Sequence, residues 1–226
     1  MNNRLSRASA ACGHPFEPAY ERNRRCFIVS AGTFSPFPRP EADDFIIACD
    51  RGYTYCERLG CKPDLLISDF DSYDGPVDAS VPLEEFPSEK DDTDTMLAIR
   101  YAIEHGFTEV LLTCALGGRL DHLFANLQSL VFARRHGLAA SLISEDTEVF
   151  ALQDESRSFP RKDGWSLSVF AADGPCRGVS ISGAKYPLDK AELLPSFPLG
   201  VSNQWAESEA AITVREGILL VILSRM

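Results

Sequence analysis

The chain has 226 residues, of which 45% are hydrophobic and 24% charged, and its formal net charge is -11. This length suits one large domain or two modest ones, and the composition is that of a globular protein, which excludes disordered and fibrous classes. A chain this acidic repels polyanions, and no run of Lys or Arg follows residue 25, so nucleic acid is not an expected partner. A bound nucleotide would need a metal ion or a few focused cationic side chains.

The N-terminal residues 1–24, rich in Arg, Ala, Pro and Asn, are expected to form a flexible leader. They lack the apolar segment of a signal peptide, and no apolar stretch reaches the ~20 residues that span a bilayer. The seven cysteines are irregularly spaced and lie mostly in apolar runs, which is typical of reduced core cysteines. Cys56 and Cys61 lack a second Cys/His pair with zinc-finger spacing, so no function is assigned to them. A cytoplasmic protein without a membrane partner is expected.

From residue 25 to about 146, short β-rich runs alternate with segments of helical period. Strands are predicted at CFIVSAG, FIIACD, DLLISDF, EVLLTCA and AASLIS, with helices up to Gly60, over about 93–105 and over about 120–136. This alternation predicts an α/β domain with a mostly parallel sheet covered by helices. Ligands bind beyond the carboxyl ends of such strands, where the acidic and glycine-rich motifs of this chain lie.

Residues 147–226 have a different pattern, with short alternating runs separated by Gly, Pro and Asp. The runs are EVFALQ, WSLSVFA, GVSIS, AAITV and ILLVILS. They predict a compact antiparallel β domain that begins near residue 147. The last two runs are joined through Arg215-Glu216-Gly217, which predicts a hairpin with Gly at positive φ.

Two acidic motifs are candidates for chemistry. In Asp69-Phe70-Asp71-Ser72, carboxylates at i and i+2 after an apolar strand can converge on Mg²⁺, although a solvated Asp-rich turn has the same pattern. In Lys90-Asp91-Asp92-Thr93-Asp94, a Thr and an Asp at a helix start are ordinary caps. The carboxylates exceed what capping requires, so Lys90 could meet a phosphate while Asp94 completes a metal shell or accepts a proton.

The third motif, Gly117-Gly118-Arg119-Leu120-Asp121-His122, runs from a strand into a helix that contains Asn126. Glycines allow close approach of a ligand, the helix N-terminus favours anions, and Arg119 is suited to phosphate oxygens. Taken singly, Asp121 could equally be a helix cap and His122 a rim or core histidine. The motif is neither a Walker A loop nor a Rossmann fingerprint.

In the β domain, Lys185-Tyr186-Pro187-Leu188 and the segment Gly200–Trp205 differ from the simple strand runs around them. Ser, Asn and an aromatic residue on one loop could hold a flat heteroaromatic ring. A turn with a packed Trp gives the same pattern. The residues alone therefore indicate a metal-assisted phosphoryl-transfer candidate and leave the acceptor open.

The ordered set CDRGY, PDLLISDFDS, KDDTD, GGRLDH with Asn126, KYPL and GVSNQW resembles the bacterial thiamine pyrophosphokinase family, from about residue 26 to the C-terminus. The resemblance implies an α/β catalytic domain over 25–146 with helices on both faces of its sheet, followed by a thiamine-binding β-sandwich over 147–226. It also implies a homodimer with active sites between subunits. The implied substrates are ATP and thiamine, with Mg²⁺ as cofactor and AMP as leaving group.

Three groups of site residues follow from the resemblance, position by position. The metal and catalytic group comprises Asp69, Asp71 and Asp94, with Lys90 as a catalytic cation. The ATP group comprises Asp50, Gly52, Thr93, Gly118, Arg119, Asp121, His122 and Asn126. The thiamine group comprises Ser202, Asn203 and Trp205.

One position departs from the family pattern, which usually has Gly-Gly after the first aspartate, whereas here Asp50 is followed by Arg51 and Gly52. A loop that needed positive φ at residue 51 would be strained by Arg, which would alter the nucleotide contacts or add a cation near the phosphates. Two other functions remain open. One is a metal-dependent nucleotide hydrolase or glycosyl-type transferase, and the other is a regulator that binds thiamine and nucleotide without turnover.

Overall fold

The computed structural model describes residues 24–68, 75–85 and 92–226. Its helices are α1 Gly52–Leu59, α2 Asp94–Glu104 and α3 Leu120–Arg135. Its strands are β1 Arg25–Val29, β2 Phe45–Cys49, β3 Leu65–Ser68, β4 Leu83–Glu85, β5 Glu109–Thr113, β6 Ala139–Ile143, β7 Thr147–Gln153, β8 Ser156–Pro160, β9 Trp165–Ala171, β10 Cys176–Ser182, β11 Leu188–Leu193, β12 Gly200–Asn203, β13 Glu209–Thr213 and β14 Ile218–Arg225. No helix in these ranges combines the length and apolarity needed to cross a lipid bilayer.

The larger sheet has ten strands in the order β12-β9-β14-β7-β6-β5-β1-β2-β3-β4. Its part from β6 to β4 is parallel, as the alternating pattern predicts. Alternate residues of β1 face opposite sides: Phe27 packs in one cluster with residues of α1, and Ile28 in another with residues of α2 and α3. The predicted α/β domain with helices on both faces is therefore confirmed.

The second sheet has four antiparallel strands in the order β11-β10-β13-β8. It packs against β7, β9 and β14 of the larger sheet through one hydrophobic cluster, which includes Phe159, Leu167, Ile181, Trp205 and Val221. The two layers form the antiparallel β-sandwich that the family resemblance implies, since sheets with one apolar face each bury that face against the other.

The larger sheet continues without a break from the α/β part into the sandwich, because β6 pairs antiparallel with β7. Along β7, Val149 and Ala151 face the cluster beneath α3, whereas Phe150 and Leu152 face the sandwich. One strand thus serves both hydrophobic cores. A division of the chain at residue 146 stays a prediction.

The predicted hairpin between the last two strands is wrong. Gly217 has φ +105, but β13 pairs in the small sheet and β14 in the large one. Residues 214–217 therefore cross from one layer of the sandwich to the other. The sequence analysis also missed β4, β8, β11 and β12, which are short or rich in polar residues.

Candidate active site at the carboxyl edge of the parallel sheet

The parallel strands reverse their order beside β1. From β1 the chain moves outward through β2, β3 and β4 on one side, and β5 and β6 lie on the other side. Ligands of open α/β sheets bind at such a switch point, beyond the carboxyl ends of the strands. In this chain the switch point lies between the loop after β1 and the loop after β5.

The two loops at the switch point are hydrogen-bonded to each other. The amide of Ser30 donates to the Thr113 carbonyl at 2.9 Å, that of Gly32 to Cys114 at 2.8 Å and that of Thr33 to Leu116 at 3.0 Å. A Cβ on Gly32 would lie 2.5 Å from the Cys114 carbonyl oxygen, so this approach requires glycine. Sequence analysis assigned Ser30, Ala31 and Gly32 to the end of the predicted strand CFIVSAG, whereas β1 ends at Val29. It did not select them as site residues, although the glycine at a strand end was an available signal.

Two consecutive left-handed glycines shape the loop after β5. Gly117 has φ +75, and a Cβ there would lie 2.4 Å from the Thr33 hydroxyl oxygen. Gly118 has φ +71, and a Cβ there would meet no atom within 4 Å. Gly117 is therefore held by packing against the first loop. Gly118 leaves open space at the start of α3, where a ligand can approach the backbone.

In the loop after β2, the residue with a left-handed backbone conformation is Asp50 and not Arg51. Arg51 has φ -58 and ψ -16, which is ordinary helical backbone, so the strain considered for a non-glycine residue there is absent. Asp50 instead has φ +46, a conformation that Asp tolerates better than most residues. Its side chain is buried, and its carboxylate accepts the Ser68 hydroxyl at 2.6 Å, which joins the ends of β2 and β3.

Helix α1 is docked closely on the switch point. A Cβ on Gly52 would lie 2.0 Å from the Val29 carbonyl oxygen, so glycine is required where α1 meets the end of β1. The Tyr55 hydroxyl donates to the Gly32 carbonyl at 2.8 Å, and the Arg51 guanidinium donates to the Ala31 carbonyl at 3.1 Å. The exposed Arg51 side chain is therefore held at the rim of the site with a neutral acceptor.

Helix α2 brings Asp94 to the same edge. Thr93 caps the helix by accepting the Met96 amide at 3.2 Å. In the first turn the hydroxyls of Thr95 and Ser30 are hydrogen-bonded at 2.9 Å, and the Cys49 thiol contacts the Asp94 carbonyl at 3.6 Å. These contacts hold the first turn of α2 against the ends of β1 and β2.

The predicted residues Asp69, Asp71 and Lys90 lie outside the described ranges. Within those ranges, no group of three or more His, Cys, Asp or Glu side chains is arranged to hold a metal ion. Asp94 is the described member of the predicted metal set, and it is partly exposed.

At the start of α3, Arg119 is engaged by a neighbouring carboxylate. Its guanidinium donates twice to Asp121, at 3.1 and 2.5 Å, and both side chains are exposed. The hydrogen bonds from Arg119 lower the pKa of Asp121 below its usual value. A phosphate would therefore have to displace the Asp121 carboxylate from Arg119. His122 is exposed, and its amide donates to Asp121 at 2.9 Å.

Asn126 is a buried support for the loop after β5. Its side-chain amide donates to the Ala115 carbonyl at 2.7 Å from the second turn of α3. This bond anchors the backbone that leads into Gly117-Gly118. Asn126 therefore contacts the predicted ATP segment indirectly, by holding the loop that contains Gly117 and Gly118.

The predicted thiamine residues lie on and beside strand β12, which corrects the expected loop. Ser202 is exposed with φ +59, and its amide donates to the Ser168 hydroxyl at 3.0 Å. Asn203 is only 4% exposed; its side-chain oxygen accepts the Tyr186 and Gln204 amides at 3.0 and 2.9 Å, and its nitrogen donates to the Tyr186 carbonyl at 2.7 Å. Its amide thus clamps the Lys185–Leu188 segment to β12.

Trp205 is a core residue of the sandwich. Its side chain is 8% exposed, and its indole N–H donates to the Phe159 carbonyl at 2.9 Å. Of the two alternatives that the sequence left open for Trp205, a ring-binding residue or a packed core residue, the structure shows the packed one. Ser202 is therefore the exposed member of the predicted thiamine group.

The two predicted half-sites lie far apart within one chain. Strand β12 is at one edge of the ten-stranded sheet, and β2, which leads to Asp50, is seven positions away. With neighbouring strands about 4.8 Å apart, the separation is roughly 34 Å. Measured along the sheet, the strand that carries Ser202 and the strand that leads to Asp50 are therefore far apart in a single chain.

The chain is thus a two-part α/β protein: a doubly wound parallel sheet with a candidate ligand site at its switch point, extended by an antiparallel sandwich. Two family models match this chain: "Thiamin pyrophosphokinase, catalytic domain" over residues 40–142 and "Thiamin pyrophosphokinase, vitamin B1 binding domain" over residues 158–219. Together they cover most of the chain, in the order that the fold displays. The chain belongs to the thiamine pyrophosphokinase family, a family of diphosphotransferases.

Individual proteins agree with this assignment. A thiamine pyrophosphokinase from Bacillus subtilis is 25% identical over 191 residues, which is 79% of this chain and 86% of that protein. The crystal structure of the Bacillus subtilis enzyme superposes with a TM-score of 0.79 over 90% of this chain and 100% of that one, at 21% identity, and so shares the fold. A thiamin pyrophosphokinase family protein from Enterococcus faecalis gives a TM-score of 0.74 at 25% identity, with coverage of 90% and 99%.

Proposed function

We propose that this protein transfers the diphosphate group of ATP to the hydroxyl of thiamine, which yields thiamine diphosphate and AMP. One observation carries the proposal: the loops after β1, β2 and β5 meet the first turn of α2 at the switch point of the sheet. The chain that forms this site also matches both domains of the family. Such a site positions a phosphorylated substrate, and positioning with charge stabilisation supplies most of the rate in phosphoryl transfer.

The phosphates of ATP would lie against Gly118 and the N-terminus of α3. Gly118 leaves the backbone open there, and the unpaired amides of a helix start attract anions. Arg119 would exchange Asp121 for phosphate oxygens, since a guanidinium forms the same paired hydrogen bonds with either group. Arg51 would add positive charge at the rim, and we propose Lys90 as a further cation for the phosphates. Asp50, Gly52, Thr93, His122 and Asn126 would shape or support this nucleotide site.

Asp94, together with Asp69 and Asp71, would hold Mg²⁺. The donor set fits, because all three are carboxylates, the hard oxygen ligands that Mg²⁺ takes alongside water and phosphate oxygens. When bound, the ion would offset the negative charge of the transferring diphosphate. A carboxylate at this edge would accept the proton of the thiamine hydroxyl as the oxygen attacks the β-phosphorus.

Thiamine would bind beside Ser202 in a homodimer, with each active site formed by two chains. The roughly 34 Å between β12 and β2 exceeds the reach of the two substrates within one chain. Exposed apolar side chains near both half-sites provide surface for association: Leu120 and Phe124 on α3, Phe197 and Leu199 beside β12, and Val201 on β12. Exposed clusters of this kind mark interaction sites in soluble proteins.

Mixing two inactive variants tests the shared site. Asp94→Asn would disable the phosphate half and Ser202→Trp would block the thiamine half. Equal amounts of the two variants are refolded together, so that half of the randomly formed dimers contain one chain of each. If each site draws on two chains, every mixed dimer has one intact site of its two. The mixture should then regain roughly a quarter of wild-type activity. No recovered activity, with mixed dimers demonstrated by mass, would refute a site shared between subunits.

The reaction is tested by incubating the purified protein with ATP, Mg²⁺ and thiamine while AMP and thiamine diphosphate are followed together. We expect equal amounts of both products, and neither product without thiamine or metal. Nucleotide loss without thiamine would instead indicate a hydrolase or another transferase, and binding of both ligands without turnover would indicate a regulator.

Asp71→Asn and Asp94→Asn are expected to abolish turnover and leave the fold intact. Asp92→Asn is the matched control, since Asp92 lies two residues before Asp94 but pairs with Arg100 at 2.7 Å. Full activity of Asp71→Asn would remove Asp71 from the mechanism.

We further propose a reducing cytoplasmic location, supported by six free cysteines among the described residues, five of them buried. Fractionation of the source cells, followed by alkylation of free thiols, would test it. Recovery of the protein with Cys26, Cys114 or Cys176 oxidised, or from a membrane fraction, would contradict this location.

A further inference from the structure

Helix α1 ends in a turn that places two cysteines against each other. Gly60 has φ +67, and beyond it the Cys61 amide donates to the Cys56 carbonyl at 3.0 Å. This bond, from the second residue after the helix back to its last turn, is the Schellman motif, in which the side chains of the two bonded residues characteristically pack together. In this chain both positions of that contact are thiols.

The backbone bond also sets the spacing that a disulfide needs. A 3.0 Å N···O bond, extended by the covalent bonds to each Cα, keeps the Cys56 and Cys61 Cα atoms within about 7 Å of each other. Disulfides form up to about that separation when the side chains face each other. The Cys61 thiol lies over the end of the helix, 3.5 Å from the Cys56 carbonyl oxygen. Little backbone movement is therefore needed to join the sulfurs.

The two thiols differ in exposure and acidity. Cys56 is fully buried, whereas Cys61 is partly exposed. A hydrogen bond from the Cys56 thiol lowers the pKa of Cys61 to about 7, and the same interaction raises the pKa of Cys56. The hydrogen bond from Cys56 therefore favours the thiolate at Cys61, which is the partly exposed thiol of the pair. The other described cysteines are buried, and burial raises the pKa of Cys26, Cys114 and Cys176.

We propose that Cys56 and Cys61 are a peroxide-reactive dithiol that closes to a reversible intrachain disulfide. The Cys61 thiolate attacks one oxygen of a hydroperoxide; an S–O bond forms, the O–O bond breaks, and the departing oxygen takes a proton and leaves as water or an alcohol. The Cys56 thiol then attacks the Cys61 sulfur. The S–S bond forms, the S–O bond breaks, and the second oxygen leaves as water with the Cys56 proton.

In sum, two thiols lose two electrons and two protons to one hydroperoxide, and a dithiol reductant reverses the change. Cys61 is the attacking residue because it is partly exposed and is the more acidic of the two thiols. Cys56 resolves the intermediate because the Schellman contact holds it beside Cys61. This inference does not rest on the thiamine reaction.

The test uses the full chain with Cys12→Ser, which removes a cysteine outside the described ranges. Hydrogen peroxide is added near pH 7, remaining thiols are alkylated, and peptides are analysed by mass. We expect loss of two hydrogens across residues 56 and 61 and reversal by dithiothreitol. The other buried cysteines, Cys26, Cys49, Cys114 and Cys176, should oxidise at least tenfold more slowly.

Two variants separate the roles of the sulfurs. Cys61→Ser should abolish peroxide uptake at this site. Cys56→Ala should leave Cys61 as a sulfenic acid that a 1,3-dione traps, whereas little adduct forms when Cys56 is present. Circular dichroism checks that each variant is folded. Persistent dione adduct on Cys61 with no disulfide in the Cys12→Ser parent, or oxidation of Cys61 no faster than that of the buried cysteines, would overturn the proposal.

Discussion

The paired glycines at the start of α3 offer a matched test of how the site is packed. Gly117 and Gly118 have nearly equal φ values of +75 and +71, so alanine meets similar backbone strain at both. That strain is about 1–2 kcal/mol for an L-residue in the left-handed region. The two positions differ in their surroundings, because a Cβ at Gly117 would lie 2.4 Å from the Thr33 hydroxyl oxygen, whereas a Cβ at Gly118 would meet no atom within 4 Å.

Gly118→Ala should therefore reduce the free energy of unfolding by about 1–2 kcal/mol. Gly117→Ala adds an overpacking cost of about 1–3 kcal/mol, which brings its total to about 2–5 kcal/mol. For a chain of this length, each kcal/mol lowers Tm by roughly 2–4 °C. Urea unfolding followed by circular dichroism measures the difference directly.

A double-mutant cycle assigns the extra cost to Thr33. Thr33→Gly removes the atoms that the new methyl group would meet, so the double variant with Gly117→Ala should recover about 1–3 kcal/mol relative to additive effects. The same cycle with Gly118→Ala should be additive within about 0.5 kcal/mol. Equal destabilisation by the two alanines, or no coupling between residues 33 and 117, would refute the packing described at the switch point.

Three further changes have defined outcomes. Asn203→Ala should lower the free energy of unfolding by about 3 kcal/mol, because the Tyr186 amide and carbonyl lose their buried partner; a change under about 1 kcal/mol in urea unfolding would contradict the clamp. Hydrogen bonds from Ser80 lower the pKa of Asp78 to about 2, so stability from this carboxylate is complete above its ordinary value of 3.8 and is lost as the pH falls toward 2. Ser80→Ala should raise the midpoint of the Asp78 carboxyl titration, measured by NMR, and an unchanged midpoint would contradict this. Arg51→Ala should raise the KM for ATP more than it changes kcat, and an unchanged KM in steady-state kinetics would remove Arg51 from the nucleotide site.

Local patterns predicted the α/β half of the molecule apart from the short edge strand β4. The runs around Phe27, Ile47 and Leu66 are apolar on both faces, as strands covered by helices on both sides must be. The carboxyl ends of parallel strands share one edge, so the motifs at Asp50 and Gly117 could be placed at one edge before any contact was known. The predicted helix limits near 93–105 and 120–136 also match α2 and α3 closely.

Local patterns failed where partners are distant in sequence. The runs AAITV and ILLVILS look like a hairpin, yet they belong to different sheets. Their apolar sides meet in the core of the sandwich from opposite layers. Strand β12 is short and polar, and what makes it a strand is its pairing with β9. In the same way, the engagement of Arg119 by Asp121 follows from side-chain positions that the letters GGRLDH do not specify.

The sequence by itself determined the alternation of strands and helices, the acidic and glycine-rich strand ends, and the motif order that identifies the family. These features are local, because propensity and periodicity act over a few neighbouring residues. Only the tertiary structure decided that one sheet runs through both halves, that Asn203 and Trp205 serve the sandwich, and that the two half-sites lie at distant positions of the sheet. These features depend on pairing and burial between residues that are far apart in the chain. Many strand partners are compatible with the same local pattern, and the packing of the whole molecule selects one of them.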